Sequence, residues 1–299
     1  MSAPRSATAP HRTALLLALL SLAATPVVAQ APGGAPKPKK DAPAGEKPKG
    51  DAPKPPADDD KIADDDPELP IQDLRAEKDP RKRYVVIGPR RKAKEPADGW
   101  KALFVLPGGD GGKDFHGFVK NIAKTAFADD YVVIQMVSVK WRPDQVVIWP
   151  SEAVKEKAAE FTTEDFFRAV YKEVAKARRL DPRCCFTLSW SSGGPPSYRL
   201  ALMDKTPVTG SYVAMSVFKP AEIPPLERAK GRAFFLDHSP EDATCPFKQA
   251  EEARDALKKA GAKVDFATYE GGHGWHGDFW GRLKQGREFL EKNAVRPPK

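Results

Sequence analysis

A hydroxyl, a carboxylate and an imidazole that could act together occur in that order along this 299-residue chain. The run Phe186-Thr187-Leu188-Ser189-Trp190-Ser191-Ser192-Gly193-Gly194 passes from strand-forming residues into small ones, then into a stretch that fits a helix. A tight strand-to-helix turn lifts its serine clear of a sheet edge, and it needs small residues two before and two after that serine. Ser189 and Gly193 meet the condition for Ser191. Ser192 as nucleophile would put Trp190 at the crowded position, and Ser197 falls inside the following helix. A serine hydroxyl is a poor nucleophile at neutral pH and needs an adjacent base. The run 234–242 reads as a strand whose loop ends on Asp242, and 264–269 is a further strand followed by Glu270-Gly271-Gly272-His273-Gly274-Trp275. His273 would take the proton of Ser191, and Asp242 would hold the imidazole. The chemistry of such a set is two-step acyl transfer. Asp237, at the strand end, is a rival acid, and His276 is the runner-up base.

Acyl transfer also needs donors for a developing oxyanion. Leu103-Phe104-Val105-Leu106-Pro107-Gly108-Gly109-Asp110-Gly111-Gly112 runs from an apolar strand into a glycine-rich loop. Backbone N–H groups at Gly109 and Asp110, with that of Ser192, are the expected donors. A phosphate loop would end in Gly-Lys-Ser/Thr, which is missing here. Trp149, Trp190 and Trp275 are candidate pocket walls, each against the plainer reading of a core residue, and 140–160 is the main insertion near the site. His238, His273 and His276 have no recognisable zinc spacing, so neither metal nor cofactor is expected.

These residues need elements to hold them. Apolar, β-rich runs at 84–87, 103–106, 131–139, 185–189, 212–217, 233–236 and 264–269 alternate with helical patterns. Helices are expected at 163–178, opening on Thr162-Thr163-Glu164-Asp165, at 247–259, stopped by Gly261, and at 281–292. Strands alternating with helices predict an α/β protein with a mostly parallel central sheet and helices on both faces. Serine, acid and base then fall at the carboxyl ends of strands, where open α/β sheets put their sites.

On these residues the chain resembles the α/β-hydrolase superfamily, and most of all its secreted branch of polyhydroxybutyrate-depolymerase-like and feruloyl-esterase-like proteins. The matching segments are Pro107-Gly108-Gly109, the turn at Ser189 to Gly194, the acid loop from His238 to Pro246, and Gly271 to Trp275; together they span about residues 100 to 280. The resemblance implies a Ser-His-Asp triad and hydrolysis of a small-molecule or polymeric ester. Two other readings stay open. One is a peptidase of prolyl-oligopeptidase type, though this chain has no room for the large extra domain those enzymes carry. The other is a non-catalytic, envelope-associated protein that kept the fold.

Composition divides the rest. Arg5, His11 and Arg12, an apolar stretch from Ala14 to Ala24, and Val27-Val28-Ala29 make residues 1–29 an export leader with a small-residue cleavage site. Residues 30–70, rich in proline, alanine, lysine and aspartate, have no large apolar residue before Ile62 and predict an unstructured spacer, which could also hold the domain near a cell envelope. The six tryptophans and the phenylalanines fall from residue 100 onward, so 71–299 is the folded catalytic domain. The net charge of +8 comes from bases interspersed with acids, without an aromatic-lined basic stripe, so no nucleic-acid partner is expected. Cys184, Cys185 and Cys245 are an odd set for an oxidising compartment, and read as small buried hydrophobes.

Overall fold

The computed structural model describes residues 61–127 and 129–295. The leader and most of the spacer fall outside the described residues. Eight strands make one sheet: β1 (Ile71–Arg75), β2 (Arg83–Ile87), β3 (Trp100–Leu106), β4 (Tyr131–Met136), β5 (Leu180–Trp190), β6 (Gly210–Ala214), β7 (Ala233–His238) and β8 (Lys263–Thr268). Their order is β1-β2-β4-β3-β5-β6-β7-β8, antiparallel at β1/β2 and β2/β4 and parallel in every other pair. Five helices cover it: α1 (His116–Thr125), α2 (Thr163–Ala177), α3 (Gly194–Leu202), α4 (Phe247–Lys259) and α5 (Phe279–Lys292).

Alternation along each strand divides the core in two. On β3, Phe104 and Leu106 join α2, α3 and α4 on one face, through Phe167, Tyr198 and Leu257. Leu103 and Val105 join α1 and α5 on the other, through Val119, Ile122, Leu283 and Leu290. Both faces are covered, so the central strands read as continuous apolar runs, which is why they were visible in the sequence. The capped start of α2 forms as expected. Thr162 Oγ1 accepts from the Asp165 amide, and the Asp165 carboxylate accepts from the Thr162 amide.

Four elements depart from expectation. Strand β1 was not anticipated, because it points Asp73 inward; Arg83 on β2 satisfies that carboxylate at 2.7 and 3.1 Å. Helix α1 was missed behind the glycine loop, although Val119, Ile122 and Ala123 carry its spacing. Strands β4 and β6 end early. Val137 and Ser138 turn away to donate to Arg83 and Gly111, and Met215 takes a φ of 38°. Residues 61–70, assigned to the spacer, lie against the domain. Leu69 is buried, Asp66 accepts from the amides of Glu68 and Leu69 and pairs with Lys124, and Ile62 donates to Asp73.

The junction of β5 and α3 is the tightest crossing near the strand ends. A Cβ on Gly193 would lie 2.1 Å from the Leu106 carbonyl oxygen and 3.0 Å from that of Pro107, so α3 starts directly against the end of β3. Gly193→Ala is therefore expected to destabilise the domain by about 2–4 kcal/mol, because backbone must move. Gly117→Ala, on α1 with nothing within 4 Å of the added carbon, should instead be neutral or stabilising by about 0.5–1 kcal/mol. Urea unfolding of the two variants separates the outcomes.

Candidate active site

Ser191 follows the last residue of β5 directly and opens the turn into α3. Its φ is +49°, the left-handed region that a non-glycine residue enters at a cost on the order of 1–3 kcal/mol. Neighbours hold it there. The Ser191 carbonyl accepts from the Ser216 hydroxyl at 2.7 Å and from the Gly194 amide. Ser189 is fully buried, and its side chain lies 3.3 Å from the Tyr212 carbonyl. Ser197 lies within α3, hydrogen-bonded at 2.7 Å to Thr187.

The Ser191 hydroxyl lies 3.2 Å from Nε2 of His273, and Nδ1 of His273 lies 2.8 Å from Oδ2 of Asp242. The Asp242 side chain is fully buried. Its Oδ1 accepts from the amides of Thr244 and Cys245, both at 2.8 Å, so the loop wraps around its own carboxylate. Burial alone would raise the Asp242 carboxyl. The Cys245 amide, His273 and the Thr244 amide together outweigh it, and the group stays ionised to below the ordinary aspartate range. Two bonds stitch the acid loop to the base loop: the amide of Gly271 donates to Glu241, and that of Gly272 to the Ser239 hydroxyl.

The rival residues are occupied elsewhere. Asp237 ends β7 in the core, accepting from the Tyr212 hydroxyl at 2.7 Å and from Arg282 at 2.9 Å. Burial pushes its carboxyl up against both partners. His276 is exposed and its ring faces Tyr269. His238 is buried, desolvation lowers its pKa, and its Nε2 donates to the Cys245 carbonyl at 2.8 Å and lies 3.3 Å from Asp242 Oδ2.

The glycine loop reaches the turn. Gly111 donates to Gly108, closing a turn in which Gly109 sits at φ +59°, and the Ser192 hydroxyl donates to the Gly109 carbonyl at 2.8 Å. The amides of Gly109, Asp110 and Ser192 donate to no protein acceptor among the described residues. Gln135 on β4 supports the loop from beneath through the Gly112 carbonyl.

The tryptophans divide. Trp149 is buried behind the loop, donating to the Pro107 carbonyl at 3.3 Å and touching the space beside Gly111. Trp190 is wedged between Phe115, Phe118 and Trp275. Trp190 is packed within the core, where strand alternation turns it inward, whereas the buried Trp149 ring lines a small pocket with Ile148, Phe161 and Phe166. Trp275 remains half-buried beside the base. The insertion 140–160 is bonded within itself, by Arg142 to Glu156 and by Gln145 to Val139, Trp141 and Val147. Sequence reasoning missed Cys245 as a neighbour of the site. Its thiol lies close to the Ser191 side chain.

No protein-family model matches the chain, and no curated protein matches it. Solved structures do. An α/β hydrolase, MGS-M1, from a Medee basin deep-sea metagenome library aligns with a TM-score of 0.57 at 16% identity, over 76% of this chain and 98% of that one. Esterase 2 of Thermogutta terrifontis, phosphoramylated by tabun, aligns at 0.55 and 17%, over 78% and 97%. A ferulic acid esterase aligns at 0.55 and 15%, over 76% and 98%. With a mostly parallel sheet of eight strands and its reactive groups beyond the strand ends, this chain has the α/β-hydrolase fold.

Proposed function

We propose that this protein is an exported serine hydrolase that cleaves carboxylic esters through an acyl-enzyme. One observation carries the reading: the unbroken chain of contacts from the Ser191 hydroxyl through His273 to a buried carboxylate, 3.2 and 2.8 Å long. His273 takes the Ser191 proton as the hydroxyl attacks the ester carbonyl, then delivers it to the leaving alcohol. Asp242 holds the ring with Nδ1 protonated and stabilises the imidazolium. The free amides of Gly109, Asp110 and Ser192 are the donors for the tetrahedral oxyanion, each worth about 3–4 kcal/mol of barrier. Water, activated by the same imidazole, releases the acid. The ester class is supported by structural neighbours that are themselves esterases. Export and the spacer rest on the composition of residues 1–70.

Ser191→Ala should lower hydrolysis of short p-nitrophenyl esters by about 10⁴-fold or more and abolish labelling by a fluorophosphonate probe; retained turnover would refute the assignment. Asp242→Asn should cost about 10⁴-fold in kcat, since the amide cannot hold the required tautomer.

The same variant has a stability signature. Because the folded-state pKa of Asp242 is depressed, its contribution is present above the unfolded value of about 3.9 and is lost as pH falls through the folded value. Wild type should thus exceed Asp242→Asn by about 1–3 kcal/mol at pH 7, with the gap closing below pH ~4 in urea unfolding. For export, N-terminal sequencing of the secreted product should begin at Gln30, directly after the small-residue site.

A further inference from the structure

Acyl transfer leaves one nucleophilic side chain of the site without a task. Cys245 follows Asp242 by three residues on the same loop and is 6% exposed. Its amide already serves the Asp242 carboxylate, while its thiol lies close to Ser191. One ligand atom each from Asp242, Cys245 and His273 lies within 4.8 Å of the others, and no other group of three such residues occurs among the described residues.

Imidazole nitrogen, sulfur and one carboxylate oxygen form a donor set for a borderline-soft cation such as Zn²⁺, whereas Mg²⁺ and Ca²⁺ require oxygen ligands. Zinc bonds of about 2.0 Å to nitrogen and 2.3 Å to sulfur put tetrahedral ligand atoms roughly 3.5 Å apart, so a separation at the 4.8 Å limit would have to close by about an ångström. Three protein ligands would leave a fourth position for water or the Ser191 hydroxyl.

Binding would displace the Cys245 thiol proton to solvent as the metal–sulfur bond forms. Coordination would also disarm the base. Neutral imidazole has one lone pair. A metal on Nε2 occupies it, and a metal on Nδ1 leaves Nε2 protonated, so neither state can accept the Ser191 proton.

We propose that Asp242, Cys245 and His273 form an inhibitory site for a thiophilic divalent cation, with Zn²⁺ as the best fit. Its inhibitory half rests on the ester-hydrolase reading; its binding half does not. The test is calorimetric titration of the full chain with Zn²⁺ at pH 7.5, run beside p-nitrophenyl ester hydrolysis. Wild type should bind Zn²⁺ with a roughly micromolar Kd and lose hydrolysis in step with occupancy. It should ignore Mg²⁺. Co²⁺ should give a thiolate-to-metal charge-transfer band.

Cys245→Ala should make hydrolysis insensitive to Zn²⁺, each preparation being compared with its own zinc-free rate. It should lose the Co²⁺ band and about 10- to 100-fold or more in Zn²⁺ affinity. Cys245→Ser serves the same comparison if the alanine variant folds poorly. Equal Zn²⁺ binding by wild type and both variants, or no binding by wild type, would overturn the site. Zinc binding through Cys245 by a chain that hydrolyses no ester would uphold the binding and overturn inhibition together with the hydrolase reading. Hydrolysis without zinc binding would overturn the metal site alone.

Discussion

The approach of α3 to the end of β3 is the constraint on which the site depends. The Leu106 carbonyl occupies the space that any side chain at 193 would need, so the chain can turn from β5 into α3 only through a glycine. That turn forces Ser191 into a left-handed backbone, and the Ser216 hydroxyl and Gly194 amide hold it there. The strain is local and its support is not. The segment just after β6 supplies Ser216, the end of β3 and the residue after it supply the opposing carbonyls, and the Ser192 hydroxyl ties the glycine loop to the same turn. The hydroxyl and the free amides are thereby fixed relative to one another by a single junction.

The acid and base are positioned by a different device. Neither Asp242 nor His273 lies on a regular element; both are on loops after strands, where backbone is otherwise free to move. The Asp242 carboxylate organises its own loop by accepting two amides of the residues that follow it. Glu241 and Ser239 then accept amides of the base loop. A buried, fully partnered carboxylate is rigid, and it passes that rigidity to the imidazole through one short bond.

Much of this was legible in the sequence, for physical reasons that can be named. The central strands were found because burial on both faces leaves continuous apolar runs, and α4 was found because Gly261 stops it. The convergence of Ser191, Asp242 and His273 could be anticipated because a tight turn demands small neighbours and because chain order limits the partners. Other features left no such trace. Strand β1 hides a paired carboxylate in its inward face, which imitates a loop. In the sequence Trp149 and Trp190 both read as pocket walls; contacts such as Phe115 against Trp190 put that ring in the core, while the Trp149 ring borders a small pocket with Ile148 and Phe161. Asp237 and Asp242 are five residues apart on one strand and its loop. Tyr212 and Arg282 separate their roles, and both come from distant parts of the chain.

Arg282, on the final helix, donates to Asp237 and to the carbonyl of His276 and lies over the Tyr269 ring at 4.3 Å. It thus fastens both ends of the base loop from a position nine residues after His273. During synthesis the serine turn and the acid loop leave the ribosome well before this fastener does. A nascent chain therefore carries its hydroxyl and carboxylate unarmed, and the imidazole is secured only when the first turn of α5 settles against β7.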